Sequence, residues 1–336
     1  MNLSLPALLA CAVIALLLTT SCTQRAAPEI TLSRDVESAL VAQRFDELER
    51  MAREYRQLDQ RLSGGNTKLY HYYAGLGGAV GQYSLDGYES KVAFDQKLRL
   101  IDAWLTHDSK SITAHLARAQ LWLSHAWGVR GDEHADTVTD AQWKLFEQAL
   151  REVDQSLQGV DPQDDPHAYF VLMSMTQGQR SPRPRMDELY RAAVAQFPTY
   201  YHYYPQRALS LLPRWYGEKG EINEYVKSLV RVPGGDDGLI AYSYVAAKLV
   251  HFHWRDKLYA ETGLSWPLIQ ASFYAREKRY GLRIKDWNVL CELAIAGRDQ
   301  QAAKEALQHI GDRWDPDLWK EKKYFDAAVK WINTPP

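Results

Sequence analysis

The period of the apolar residues constrains this chain more than any other feature. Val36, Leu40, Val41, Phe45, Leu48, Met51, Ala52, Tyr55, Leu58 and Leu62 step by three and four, the spacing that lays side chains along one face of an α-helix. Trp143, Phe146, Leu150, Val153 and Leu157 do the same. No stretch alternates with period two for long enough to make a strand. The expected fold is therefore all-α, with stacked antiparallel helical hairpins forming a tetratricopeptide-like array.

Breakers and caps divide the pattern. A first helix is expected from Val36 to Leu62, capped by Ser33 and stopped by Gly64-Gly65-Asn66. A second runs from Tyr70 to about Val80, and its glycines make it either weak or closely packed. Further helices are expected over 92–105, 112–127, 143–157 (capped by Thr139), 167–178, 186–197, 201–212, 221–232, 238–254, 267–280, 286–296, 299–310 and 317–332. The Asp- and Pro-rich run at 159–166 is a turn and a possible sub-boundary within one helical-repeat domain spanning 31–334. Ala193-Val194-Ala195-Gln196-Phe197-Pro198 fits the end of a tetratricopeptide repeat, and Gly297-Arg298-Asp299-Gln300-Gln301-Ala302 fits a turn opening a repeat helix.

The amino-terminal 22 residues give an address. An apolar run from Leu5 to Leu18 is followed by Thr19-Thr20-Ser21-Cys22. It is too short to span a bilayer, which takes roughly 20 apolar residues. It has the layout of a bacterial lipoprotein signal, with removal of residues 1–21, lipid on Cys22 and a polar tether over 22–30; the absence of Lys and Arg ahead of the run and Thr19 three before Cys22 leave a plain secretory signal or an uncleaved anchor as the alternative. The expected location is the bacterial cell envelope, lipid-anchored, with the membrane reached through that lipid. Cys11 leaves with the signal, so Cys291 is the one remaining thiol, and it reads as a small buried hydrophobe. A net charge of -2 argues against a nucleic-acid groove, which needs a basic excess.

The stretch Leu212-Pro213-Arg214-Trp215-Tyr216-Gly217, within the segment from Tyr201 to Val226, is the most specific local signature. With Ala126–Gly131, Val138–Phe146 and the C-terminal helices, it resembles a bacterial family known as a domain of unknown function. The resemblance implies a tetratricopeptide-like helical array and carries over no catalytic residue. Trp215 is expected either to plug a seam between repeats or to line a groove.

Chemistry-bearing clusters are few. Gly131-Asp132-Glu133-His134-Ala135-Asp136 reads as a solvated loop with capping acids. His251 and His253, two apart on an expected helix, point about 200° apart around its axis and do not share a metal. Asp236 and Asp237 form an acidic turn with too few oxygen ligands for calcium. No cofactor, metal or catalytic residue is expected. With 20 Tyr and 11 Trp, the expected function is a non-enzymatic scaffold binding a protein or peptide. The candidate contacts are Tyr200, Tyr201, Tyr203, Tyr204, Trp215 and Tyr216. The alternative is a carbohydrate-active enzyme on a helical toroid, which needs a carboxylate pair across an aromatic cleft.

Overall fold

A computed structural model describes residues 27–78, 92–131, 137–179, 183–213, 215, 217–253 and 255–335. Among these residues the fold is all-helical, with no strand beyond one isolated bridge between Arg61 and Thr67. The first seven α-helices are α1 (Pro28–Val41), α2 (Phe45–Leu58), α3 (Lys68–Gly77), α4 (Phe94–His107), α5 (Ile112–Arg130), α6 (Asp140–Ser156) and α7 (Pro166–Gly178). They are followed by α8 (Arg183–Gln196), α9 (Tyr203–Ser210), α10 (Glu221–Ser228), α11 (Gly235–Leu249), α12 (Arg255–Thr262) and α13 (Trp266–Tyr280). The chain ends with α14 (Ile284–Ala296), α15 (Gln300–Ile310), α16 (Pro316–Trp319) and α17 (Lys322–Asn333). None is long and apolar enough to cross a membrane.

Local chemistry explains several helix starts. Thr67, Ser111, Thr139, Asp165 and Asp299 each accept a hydrogen bond from a first-turn backbone N–H of α3, α5, α6, α7 and α15. At α6, Thr139 and Gln142 cap each other reciprocally.

The expected first helix is two helices. Pro28 starts α1 inside the stretch expected to be a tether, and Ser33 lies within α1, where its hydroxyl donates to the His71 carbonyl at 3.2 Å. The break falls at Gln43, which has a φ of 55°. Its N–H donates to the Leu40 carbonyl and the Arg44 N–H to the Ala39 carbonyl, a left-handed helix end usually made by glycine. The expected helix over 317–332 is likewise divided into α16 and α17 at Lys320, with φ 64°. The expected helix over 238–254 ends at Leu249, so His251 and His253 lie in a turn. Asp236 and Asp237 belong to the first turn of α11.

The odd-numbered helices α1 to α13 pack in succession as one layer, the even-numbered ones to α10 lie against them, and α12 packs on α10 and α14. Close approach makes this possible at Gly75 of α3, where a Cβ would lie 2.8 Å from the Ser33 carbonyl oxygen. The expected glycine-rich helix is thus closely packed. The layer then returns on itself: a 3-10 turn at Ser63–Gly65, between α2 and α3, packs on α13. Beyond that closure, α14, α15, α16 and α17 make a separate apolar cluster that includes Ile310, Trp319, Phe325 and Ile332.

Candidate functional site

The densest chemistry lies where the array closes. Asp165 caps α7 by accepting from the His167 N–H at 2.8 Å through Oδ1. Its Oδ2 accepts from the Tyr73 hydroxyl at 2.7 Å and pairs with Arg56 Nε at 2.6 Å. The carboxylate is fully buried. Burial raises its pKa above the ordinary range, and the Arg56 guanidinium offsets part of that rise. The residue read from sequence as part of a turn is therefore an ion-pair hub joining α2, α3 and α7.

His167 follows on the same turn. Its ring stacks on Tyr73 at 4.4 Å and 10°. The Tyr200 hydroxyl lies 2.7 Å from Nδ1, and Gln120 Oε1 lies 2.8 Å from Nε2. Gln120 offers a carbonyl oxygen there, which assigns the ring proton to Nε2 and makes Nδ1 the acceptor of the Tyr200 hydroxyl. Burial drives the His167 pKa down to about 3. Next to it, His202 lies flat on Tyr70 of α3 at 3.6 Å and 9°.

The second half of the closure is an arginine–carboxylate knot. Arg276 and Arg283 both bond Asp286, at 2.8 Å and 2.9 Å, and Arg283 also reaches Glu29 of α1 at 3.1 Å. Burial alone would raise the Asp286 pKa. The two guanidiniums outweigh it and hold the carboxyl at about 2. Arg276 Nε donates to the Gly64 carbonyl at 2.6 Å, and the Tyr244 hydroxyl donates to the same oxygen at 2.9 Å. The Asn66 amide nitrogen donates to Tyr244 at 2.9 Å while its oxygen accepts from Arg283 at 3.1 and 3.3 Å.

Gly64 fits this knot for two reasons. Its φ is +77°, and a Cβ there would stand 2.6 Å from Asp286 Oδ2. The glycines read as a helix stop are the latch of the closure.

Four of the six expected contact residues are core. Tyr200, Tyr201, Tyr203 and Tyr204 are each 3% exposed or less, so they do not present the open aromatic face expected of them. Their rings fill seams between helices, and their hydroxyls bond within the array: Tyr200 to His167, Tyr201 to Asp237 at 2.7 Å, Tyr203 to the Pro166 carbonyl at 2.5 Å and Tyr204 to the Pro198 carbonyl at 2.8 Å. Trp215 is half-buried, edge-on to Trp127 at 5.8 Å, with the Arg130 guanidinium 5.8 Å over its ring. It plugs the seam between the end of α5 and the α9–α10 connection. Tyr216, Cys22 and the loop at 132–136 lie outside the described residues. Cys291 is fully buried, and burial pushes its thiol up to about 12.

Among the described residues no group of three or more His, Cys, Asp or Glu is placed to hold a metal ion. Two surface hollows, of about 500 and 560 Å³, are open to solvent. The larger, between α8, α9 and α10, is lined by Arg183, Arg207, Lys219, Glu221, Glu224 and Tyr225 among others. Its charges are largely mutually engaged: Arg183 pairs with Glu221, and Arg207 pairs with Asp187 at 2.6 Å.

Residues 33–182 are similar to the family described as "Domain of unknown function (DUF4034)". The match runs from within α1 to just past α7 and ends before the Leu212–Gly217 stretch. No curated protein and no solved structure matches the chain. The closure accordingly joins the matched part, through Arg61, Gly64, Asn66, Tyr70 and His167, to residues beyond it.

Proposed function

We propose that this chain is a non-enzymatic helical-repeat scaffold, tethered to the bacterial cell envelope by lipid on Cys22, that binds a protein or peptide. The supporting observation is where the reactive side chains lie. Asp165, His167 and Asp286 are buried, and each bonds to other groups of the array, so these groups serve the fold's own closure. The two hollows are open and charged, features that suit the broad, partly polar surface of a protein partner. The tether rests on the apolar run from Leu5 to Leu18 ahead of Thr19-Thr20-Ser21-Cys22.

The test is crosslinking capture from envelope extracts with the protein expressed from its own leader. The expected result is a lipid-modified Cys22 by mass spectrometry and a specific partner. Recovery of that partner should fall when two exposed charges lining the α8–α10 hollow are reversed, Lys219→Glu with Glu224→Lys. Capture of nothing, or glycan hydrolysis by the purified protein, would overturn the scaffold reading. An unmodified Cys22 would remove the tether alone.

A further inference from the structure

The closure holds two histidines in places where a second proton is badly accommodated. His202 lies on Tyr70, faces the edge of Tyr244 at 5.8 Å and tilts against Tyr200 at 5.5 Å. Its Nε2 is buried with no hydrogen-bond partner among the described residues. A proton there would have nothing to donate to. His167 already uses both nitrogens, one as acceptor and one as donor, so protonating Nδ1 takes the acceptor away from the Tyr200 hydroxyl, which must turn its proton elsewhere.

The surroundings make it worse. From α3 come Tyr70 and His71, and from α7 His167 and Asp165. The segment before α9 contributes Tyr200, and α11 contributes Tyr244. Arg61 lies before the 3-10 turn, and Arg276, Arg283 and Asp286 come from α13, the connection after it and α14. His71, His167, Arg61 and Arg283 all act against a cation on His202. The nearby carboxylates already face guanidiniums: Asp165 pairs with Arg56, and Asp286 lies between Arg276 and Arg283.

We propose that the closure is an acid-sensitive latch, in which protonation of His167 and His202 favours an opened state where α3 separates from α7 and from His202 at the start of α9. The sign follows from linkage. Both imidazoles titrate below their ordinary value when closed and near about 6.5 once exposed. Below that value the opened state binds more protons, so acid favours opening. Asp165 works in the opposite sense, because its raised pKa lets the closed state take up a proton first. Asp286, held at about 2, contributes only below the ordinary carboxylate value of about 3.9. Between about pH 6 and 4.5 the two histidines therefore drive the change.

The test is hydrogen exchange of the α3 amides of Tyr70 and His71 in the full chain between pH 5.5 and 4.5, corrected for intrinsic exchange. The opening constant is expected to rise by up to about 100-fold over that unit in the wild type, ten-fold per histidine, reduced by the proton that closed-state Asp165 takes up. In His202→Phe, which retains a flat ring against Tyr70, cannot titrate and keeps Asp165, the rise should be about 10-fold smaller. No change in the wild type, or the same rise in the variant, would overturn the proposal. If the variant does not fold, histidine ring NMR of the wild type decides. A His202 resonance titrating near 6.5 in the intact fold overturns the proposal, and one that stays neutral until α3 loses protection supports it.

Discussion

The closure and the C-terminal cluster solve the same problem with opposite chemistry. At the C-terminal end, α14, α15 and α17 bury Cys291, Ala294, Ala303, Ala306, Ile310, Phe325 and Ile332 against one another. At the closure, the groups brought together are Arg276, Arg283, Asp286, Glu29, Asn66 and the Gly64 backbone. The first contact joins helices near one another in sequence, and apolar area drives it without fixing geometry closely. The second joins positions up to 254 residues apart, and its hydrogen bonds and ion pairs form in one register. An apolar seam tolerates repacking, whereas a buried ion pair that loses one partner leaves the other charge stranded. The array extends by hydrophobic stacking and closes by polar matching.

The largest expected effect breaks the polar side. Asp286→Ala leaves Arg276 and Arg283 facing each other without their carboxylate and should cost about 3–5 kcal/mol in urea unfolding. Loss of protection should spread to the Ser63–Gly65 turn. On the apolar side, Phe325→Ala should cost about 3–4 kcal/mol, with hydrogen exchange rising in α15 and α17 while the closure stays protected. If Phe325→Ala opened the closure equally, the two regions would be one cooperative unit and the contrast would fail.

Gly64→Ala disturbs the closure through the backbone. It combines a positive φ with a Cβ driven onto Asp286, and about 2–3 kcal/mol is expected. The smallest effect lies in neither region. Thr139→Ala removes the reciprocal cap of α6 and should cost about 1 kcal/mol, with both regions unchanged.

Legibility in the sequence followed the same division. The apolar period gave the helices α4 to α8 and α13 to α15 closely, because stacking leaves its pattern locally. Where a helix ended without glycine, as at Gln43 and Lys320, the pattern ran on and merged two helices. A single buried leucine, Leu258, was too little to reveal α12. The Tyr200–Tyr204 run was visible as aromatic, but the composition of a segment does not say which side of it faces solvent. The closure was illegible for a further reason. Glu29, Gly64, Tyr244, Arg276 and Asp286 share no spacing, and each alone has an ordinary local reading. Asp165 carried one signal that could have been followed: an aspartate directly before a proline at a helix start marks a cap, and a cap within an Asp-rich turn invited a question about its second oxygen.

Closure of the array depends on contacts that an open array would not make, and one such pair is Asn66 with Tyr244. Asn66 and Tyr244 are 178 residues apart in sequence and within hydrogen-bond distance in the structure. A double-mutant cycle of Asn66→Ala and Tyr244→Phe, read by urea unfolding, should show a coupling of about 1 kcal/mol. Strict additivity, within about 0.3 kcal/mol, would mean that the two never meet and that the array is open.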